Sequence, residues 1–174
     1  LPHAIIRVRN SRNRPHADSL RTPGPPIAPM EIPDNSSPDR SSAVGIAGTG
    51  RIARSLGALL AERGLPIAAI AGRDEARTRA AAAFTGARRT VSIEDLGRHA
   101  TVVLVAVSDD AIETVAHELA AGARIPEVAL HTCGSAGPEL LQALSERGCA
   151  TGVLHPLQTV PAPTPEETRN KGVL

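Results

Sequence analysis

The chain has 174 residues, a formal net charge of +1 and a single aromatic residue, Phe84. Near-neutrality argues against an electrostatic role on nucleic acid or a membrane surface, and one ring cannot furnish the stacking platform of a single-strand binder. No apolar run approaches the roughly 20 residues that span a bilayer. The two cysteines, Cys133 and Cys149, are too few for a disulfide framework and do not form a CxxC pair. With no secretory signal in view, a reducing cytoplasm is the expected setting.

Residues 1–42 carry Pro2, Pro15, Pro23, Pro25, Pro26, Pro33 and Pro38 among Arg, Ser and Asn, without apolar periodicity. Such a segment buries too little surface to offset its ordering entropy and reads as a disordered tail. Arg7, Arg9, Arg12 and Arg14 suit a transit peptide, but Pro15 and the prolines at 23–26 spoil its helix. Met30 is an alternative start, with residues 1–29 as upstream over-translation; the sequence leaves both readings open.

From Ser42 onward, strand and helix patterns alternate. Strand one is expected at Ala43–Ala47. A helix follows at Arg51–Arg63, with Ile52, Leu56, Leu59 and Leu60 on one face and Gly64 as its stop. Ile67–Ala71 reads as strand two. Asp74 caps a helix over Glu75–Phe84 that Gly86 closes. Arg89–Val91 is a short third strand. Ser92 and Asp95 resemble a capping box for a helix over Ile93–His99. Thr101–Val107 is β-branched and apolar on both faces, which places it centrally. Asp110 caps a helix over Ala111–Ala121, ended by Gly122. Strand five is Val128–His131. A helix begins at Pro138, runs to Arg147 and stops at Gly148. Strand six is Thr151–Leu154. Beyond Pro156 the regular signals fade into a proline loop, and Thr164-Pro165-Glu166-Glu167 reads as a helix start. Six strands alternating with five helices give an α/β, doubly wound parallel sheet with helices on both faces.

In such sheets ligands bind at the carboxyl ends of the strands. Gly48-x-Gly50-x-x-Ala53 follows the first strand and opens a helix, as a dinucleotide-binding loop requires. Gly48 turns the chain, Gly50 leaves the backbone open to a pyrophosphate, and Ala53 allows close packing. The first-turn N–H groups and the helix dipole then favour phosphate. After strand two, where an NAD site has a carboxylate, the chain reads Gly72-Arg73. A guanidinium there suits the 2′-phosphate of NADP and favours that cofactor, with a solvated surface cation as the alternative. Ser108 and Asp109 follow strand four, near the expected nicotinamide ribose, where a cap or Asx turn explains them nearly as well. His131 ends strand five and is the best candidate for a proton relay. A backbone bond that fixes the loop is the slightly better alternative for it. Ser135 orients a substrate or caps a helix. His155-Pro156 follows strand six, with Gln158 as a hydrogen-bonding group or the whole stretch as a rigid linker. His131 and His155 lack a suitably spaced third ligand, so no metal site is expected.

Four stretches together carry a family resemblance: Val44-Gly45-Ile46-Ala47-Gly48-Thr49-Gly50-Arg51, Val105-Ala106-Val107-Ser108-Asp109-Asp110-Ala111-Ile112, His131-Thr132-Cys133-Gly134-Ser135 and Leu154-His155-Pro156-Leu157-Gln158-Thr159. The chain resembles bacterial Rossmann-like proteins with a C-terminal helical domain of unknown function. These are described as NADP-dependent oxidoreductases and are related to pyrroline-5-carboxylate reductase and the deazaflavin-dependent NADP reductases. The resemblance covers about residues 43–160. It implies that Gly48, Thr49, Gly50, Arg51 and Ile52 hold the pyrophosphate and Arg73 the adenosine ribose phosphate. It places Val107 and Ser108 at the nicotinamide side, and His131 and His155 in the active cleft. Ser108 departs from the proline common in the family. The helical domain would begin at about the point where the chain stops, Leu174, so residues 161–174 read as a linker or as its beginning. The resemblance implies a homodimer formed through that domain.

The expected function is hydride transfer between NADP and a carbonyl or imine of a small substrate. The rival expectation is a non-catalytic NADP-binding or sensing module, favoured by the chain's early end and by the lack of Lys or Tyr in the cleft. A nucleotide-sugar or phosphate-ester enzyme on the same scaffold is a third.

Overall fold

The computed structural model describes residues 43–155. The tail 1–42, Met30, Pro156, Gln158 and the segment 161–174 lie outside the described residues. The elements in chain order are β1 (Val44–Ala47), α1 (Arg51–Glu62), β2 (Ile67–Ala71), α2 (Glu75–Thr85), β3 (Thr90–Val91), α3 (Leu96–His99), β4 (Val102–Val105), α4 (Ile112–Ala121), β5 (Val128–His131), α5 (Gln142–Glu146) and β6 (Ala150–Val153). Short 3-10 turns at Asp109–Ala111 and Pro138–Leu141 lead into α4 and α5.

The six strands form one parallel sheet in the order β3-β2-β1-β4-β5-β6. The chain reverses direction across the sheet between β1 and β4, the two central strands, which is where doubly wound sheets open a ligand crevice. β4 has Val103 and Val105 buried toward one face and Leu104 toward the other, where Ala106, just past the strand, is buried as well. Both faces are therefore covered, as the expected central position required.

One core lies between the sheet and α1 and α2, built from Val44, Ile46, Ile67, Ile70, Leu104 and Ala106 with Ala53 and Ala81. The other lies under α3, α4 and α5 and includes Val103, Val105, Ala129, Leu96, Leu119 and Leu144. In β2, Ile67 and Ile70 share a face despite their odd spacing. The register with β1 slips by one residue: Val44 pairs Ile67 and Gly45 pairs Ala69, so Ala68 is the extra residue.

The helix α1 corrects the expected apolar face. Ala53 and Gly57 are buried on the sheet and Leu56 and Leu60 pack beside them, while Ile52 and Leu59 are exposed. The seam is set by small residues, because α1 sits close to both β1 and α2. A β-carbon at Gly57 would stand 2.6 Å from Thr85 Cγ2 and 2.9 Å from Ile46 Cδ1.

The cap of α2 is as expected: Asp74 Oδ1 accepts from Arg77 N at 2.7 Å, and Gly86 closes the helix at φ 70. Two other expected caps are corrected. Ser92 donates its hydroxyl to the Asp95 carboxylate rather than accepting from a backbone N–H, and the helix that follows has only one turn, Leu96–His99. Asp110 lies inside the 3-10 turn, whose flanking residue is Ser108, so it does not cap α4. The helix expected over 138–147 is divided into a 3-10 turn and the short α5. Among the described residues, no helix is long and apolar enough to cross a membrane.

Candidate functional site

The exits of β2, β1 and β4 meet at Gly48. Its N–H donates to Ala71 O at 2.8 Å, which ties it to the end of β2. Its other side lies on the end of β4, where a β-carbon would overlap the Ala106 carbonyl and stand 3.4 Å from Val107 Cγ1. At φ 131 the residue also occupies backbone space that side-chain-bearing residues rarely adopt. Gly48 is therefore required by close packing as well as by the turn.

Gly50 differs. Its backbone is extended, at φ −74 and ψ −177, and a β-carbon there would meet nothing within 4 Å. It immediately precedes α1, whose N-terminus has no side-chain cap and no acidic residue in its first turn. The first helical N–H groups have no intrahelical acceptor, so an uncapped, open helix start at the crevice fits a phosphate. Thr49 leans the other way, its Cγ2 filling the space over Gly72, and its carbonyl accepts from Arg54 Nε at 3.2 Å. Arg51 and Ile52 are exposed beside Gly50. No other group thus stands within 4 Å of where a Gly50 β-carbon would be.

Arg73 follows β2 and is exposed. Across β1, Ser108 and Asp110 leave the end of β4, also exposed. The Ser108 hydroxyl, followed by Asp110's own backbone N–H, holds the Asp110 carboxyl below the usual carboxylate range, and the Arg73 charge adds to that effect. Sequence reasoning took Asp110 for a helix cap, whereas it lies inside the 3-10 turn that precedes α4.

The exits of β5 and β6 form the rest of the edge. His131 is fully buried; its Nε2–H donates to Gly137 O at 2.9 Å, and its Nδ1 is buried without a partner among the described residues. The loop-fixing alternative matches this geometry, since the buried ring bonds the Gly137 carbonyl. The same residue is held at its other end, where Gly137 N–H donates to Glu139 Oε1 at 2.7 Å. Glu139's own backbone N–H and that of Gly137 hold its carboxyl below the usual range. Ser135 is exposed, and its hydroxyl lies 3.2 Å from the buried Cys133 Sγ. It caps no helix, for the turn that follows starts after Gly137. His155 is exposed, with its imidazole lying on Gly134, so that β6's exit residue covers the loop that carries Ser135. The Gly134–His155 contact had no signal in the sequence. Among the described residues, no group of three or more His, Cys, Asp or Glu side chains is placed to hold a metal.

The family model described as "Rossmann-like domain" matches residues 30–156. No curated protein sequence matches the chain. Among solved structures, the chain is similar to a candidate NADP oxidoreductase from Bacteroides fragilis, with 21% identity, a TM-score of 0.57, and coverage of 75% of this chain and 54% of that one. It is similar to prephenate dehydrogenase from A. aeolicus in complex with hydroxyphenyl propionate and NAD+, with 19% identity, a TM-score of 0.53 and coverage of 70% and 43%. A third is shikimate dehydrogenase from Mycobacterium tuberculosis, with 18% identity, a TM-score of 0.52 and coverage of 65% and 45%. At such identities the likeness is one of fold. The chain spans about half the length of these structures.

Proposed function

The chain belongs to the Rossmann-like domain family, and on that premise we propose that it is the cofactor-binding part of an NADP-dependent oxidoreductase. The observation that carries this reading is the open position of Gly50 before the uncapped start of α1, at the point where the strand order reverses. Gly48, Thr49, Gly50, Arg51 and Ile52 would hold the pyrophosphate. Arg73, in place of an acidic residue after β2, would take the 2′-phosphate. Val107 and Ser108 would border the dinucleotide from the β4 side. Oxidoreductase activity is also supported by the names of the fold neighbours, one an NADP oxidoreductase candidate and two dehydrogenases.

When bound, the nicotinamide supplies the hydride chemistry, toward a carbonyl or imine of a small substrate. The chain's own residues orient and protonate. His155 is the exposed imidazole of the edge, and we place the proton relay there. Ser135 offers an exposed hydroxyl to a substrate oxygen or nitrogen. His131 acts as a positioning residue: its bond to Gly137 fixes the loop that carries Ser135.

A second reading, an NADP-binding module without turnover, is favoured by one observation. The imidazole expected to relay protons at the end of β5 is wholly buried. Fluorescence titration with NADPH and NADH tests the cofactor reading: saturable NADPH binding supports it, and no binding of either dinucleotide overturns it. Turnover by the protein with an added carbonyl or imine substrate separates the enzyme from the module.

A further inference from the structure

We infer that Thr49 helps decide which 2′ group the crevice accepts, by filling the place that a side chain on the first residue after β2 would need. This deepens the NADP reading and rests on it. A β-carbon at Gly72 would stand 2.6 Å from Thr49 Cγ2 and 2.7 Å from Thr78 Oγ1. The described glycines with positive φ are Gly48, Gly64, Gly86 and Gly148, and Gly72 is not one of them. No left-handed backbone calls for glycine at position 72, so the demand there is one of space alone.

Both neighbours are held in place. Thr78 is buried in the first turn of α2, and its hydroxyl donates to Asp74 O at 2.6 Å. Thr49 follows Gly48, whose N–H donates to Ala71 O at 2.8 Å, and its own carbonyl accepts from Arg54 Nε at 3.2 Å. The end of β2 is where an NAD site presents a carboxylate to the ribose 2′-hydroxyl. With the Thr49 methyl in that space, position 72 can present none, and the first side chain after β2 is that of the exposed Arg73. A guanidinium favours a 2′-phosphate, while a plain 2′-hydroxyl finds no carboxylate at position 72. The preference is set by exclusion as well as by attraction. Thr49 is thus a specificity-determining residue whose methyl group packs on the protein itself.

The test is calorimetric titration of the full chain with NADPH and with NADH, beside urea unfolding, for the wild type and for Gly72→Asp made alone and in a Thr49→Ala/Thr78→Ala background. Alone, Gly72→Asp should lower the unfolding midpoint and bring no gain in NADH affinity. In the opened background the carboxylate has room, and it should lower the NADPH-to-NADH affinity ratio at least about tenfold relative to that background. Gly72→Ala tests the packing without a charge: it should lower the midpoint in the wild type, and by less when Thr49 is already Ala. Should the opened Gly72→Asp variant not fold, this pair of unfolding curves decides. The inference is overturned, and the NADP reading stands, if Gly72→Ala leaves the midpoint unchanged or loses as much with Thr49 already Ala. The same holds if Gly72→Asp alone shifts the ratio toward NADH as far as in the opened background, or if the folded, opened variant keeps its ratio. If the wild type shows no preference for NADPH, the NADP reading falls and the inference falls with it.

Discussion

Gly48 is seated on Ala106: the turn that leaves β1 is in backbone contact with the residue that leaves β4, at the point where the sheet changes direction. The same glycine donates to Ala71 at the end of β2. One residue thus fixes three strand exits by packing and a backbone hydrogen bond.

Gly48→Ala should therefore act on the fold first. The methyl group would overlap the Ala106 carbonyl, and φ 131 would be strained for alanine. A loss of about 1 to 3 kcal/mol is expected from such strain and overpacking. Urea unfolding measures it, and a variant as stable as wild type would show that the seat on Ala106 is not tight.

His131→Ala should also cost stability. It removes a buried hydrogen bond, worth about 1 kcal/mol net, and leaves a cavity between β5 and the loop before α5. Together these amount to about 2 to 4 kcal/mol. Chemical denaturation reads the loss. An unchanged midpoint would mean that the Gly137 anchor does not hold the loop.

The acid limb of stability should depend on Glu139. Its carboxyl is held below its ordinary value of 4.5 by two backbone N–H groups. A depressed folded-state value contributes stability that is fully present above the unfolded value and is lost as pH falls through the folded one. Stability should thus decline below about pH 4.5, and Glu139→Gln should make that decline shallower. Melting temperatures from pH 7 to 3 test this; identical acid limbs for the two proteins would remove Glu139 from the account.

Arg73→Ala should separate the two dinucleotides. A charge-assisted bond to a 2′-phosphate contributes about 1.5 to 3 kcal/mol, so NADPH affinity should fall by roughly tenfold to a hundredfold and NADH affinity far less. Equal binding of both dinucleotides before and after the change would show that Arg73 is only a surface cation.

The alternation of strands and helices and the central place of the fourth strand were legible because strands such as Val102–Val105 are apolar on both sides and because Gly64, Gly86 and Gly148 mark the chain's turns. Asp74 was legible as a cap because the interaction is local, three residues long. What escaped the sequence is non-local. Ala53 and Gly57 define the buried seam of α1 only because Ile46 and Thr85 press against it, so the larger Ile52 and Leu59 misled the pattern. The extra residue Ala68, which brings Ile67 and Ile70 to one face, belongs to the pairing of two strands. At the candidate site, Gly48 and Gly50 were both visible, but their difference was not: one is packed and the other open. The bond from His131 to Gly137 spans a loop whose path no local pattern records.

Dinucleotide binding at the first turn depends most on Gly50, so the most direct measurement is NADPH titration of Gly50→Val beside the wild type, with unfolding curves for both. The backbone there suits any residue and a β-carbon meets nothing, so stability should change by no more than about 0.5 kcal/mol. The added side chain would occupy the phosphate's approach to α1, and NADPH affinity should weaken by at least about tenfold. A folded Gly50→Val protein that binds NADPH as tightly as the wild type would contradict the claim that the dinucleotide rests on this turn.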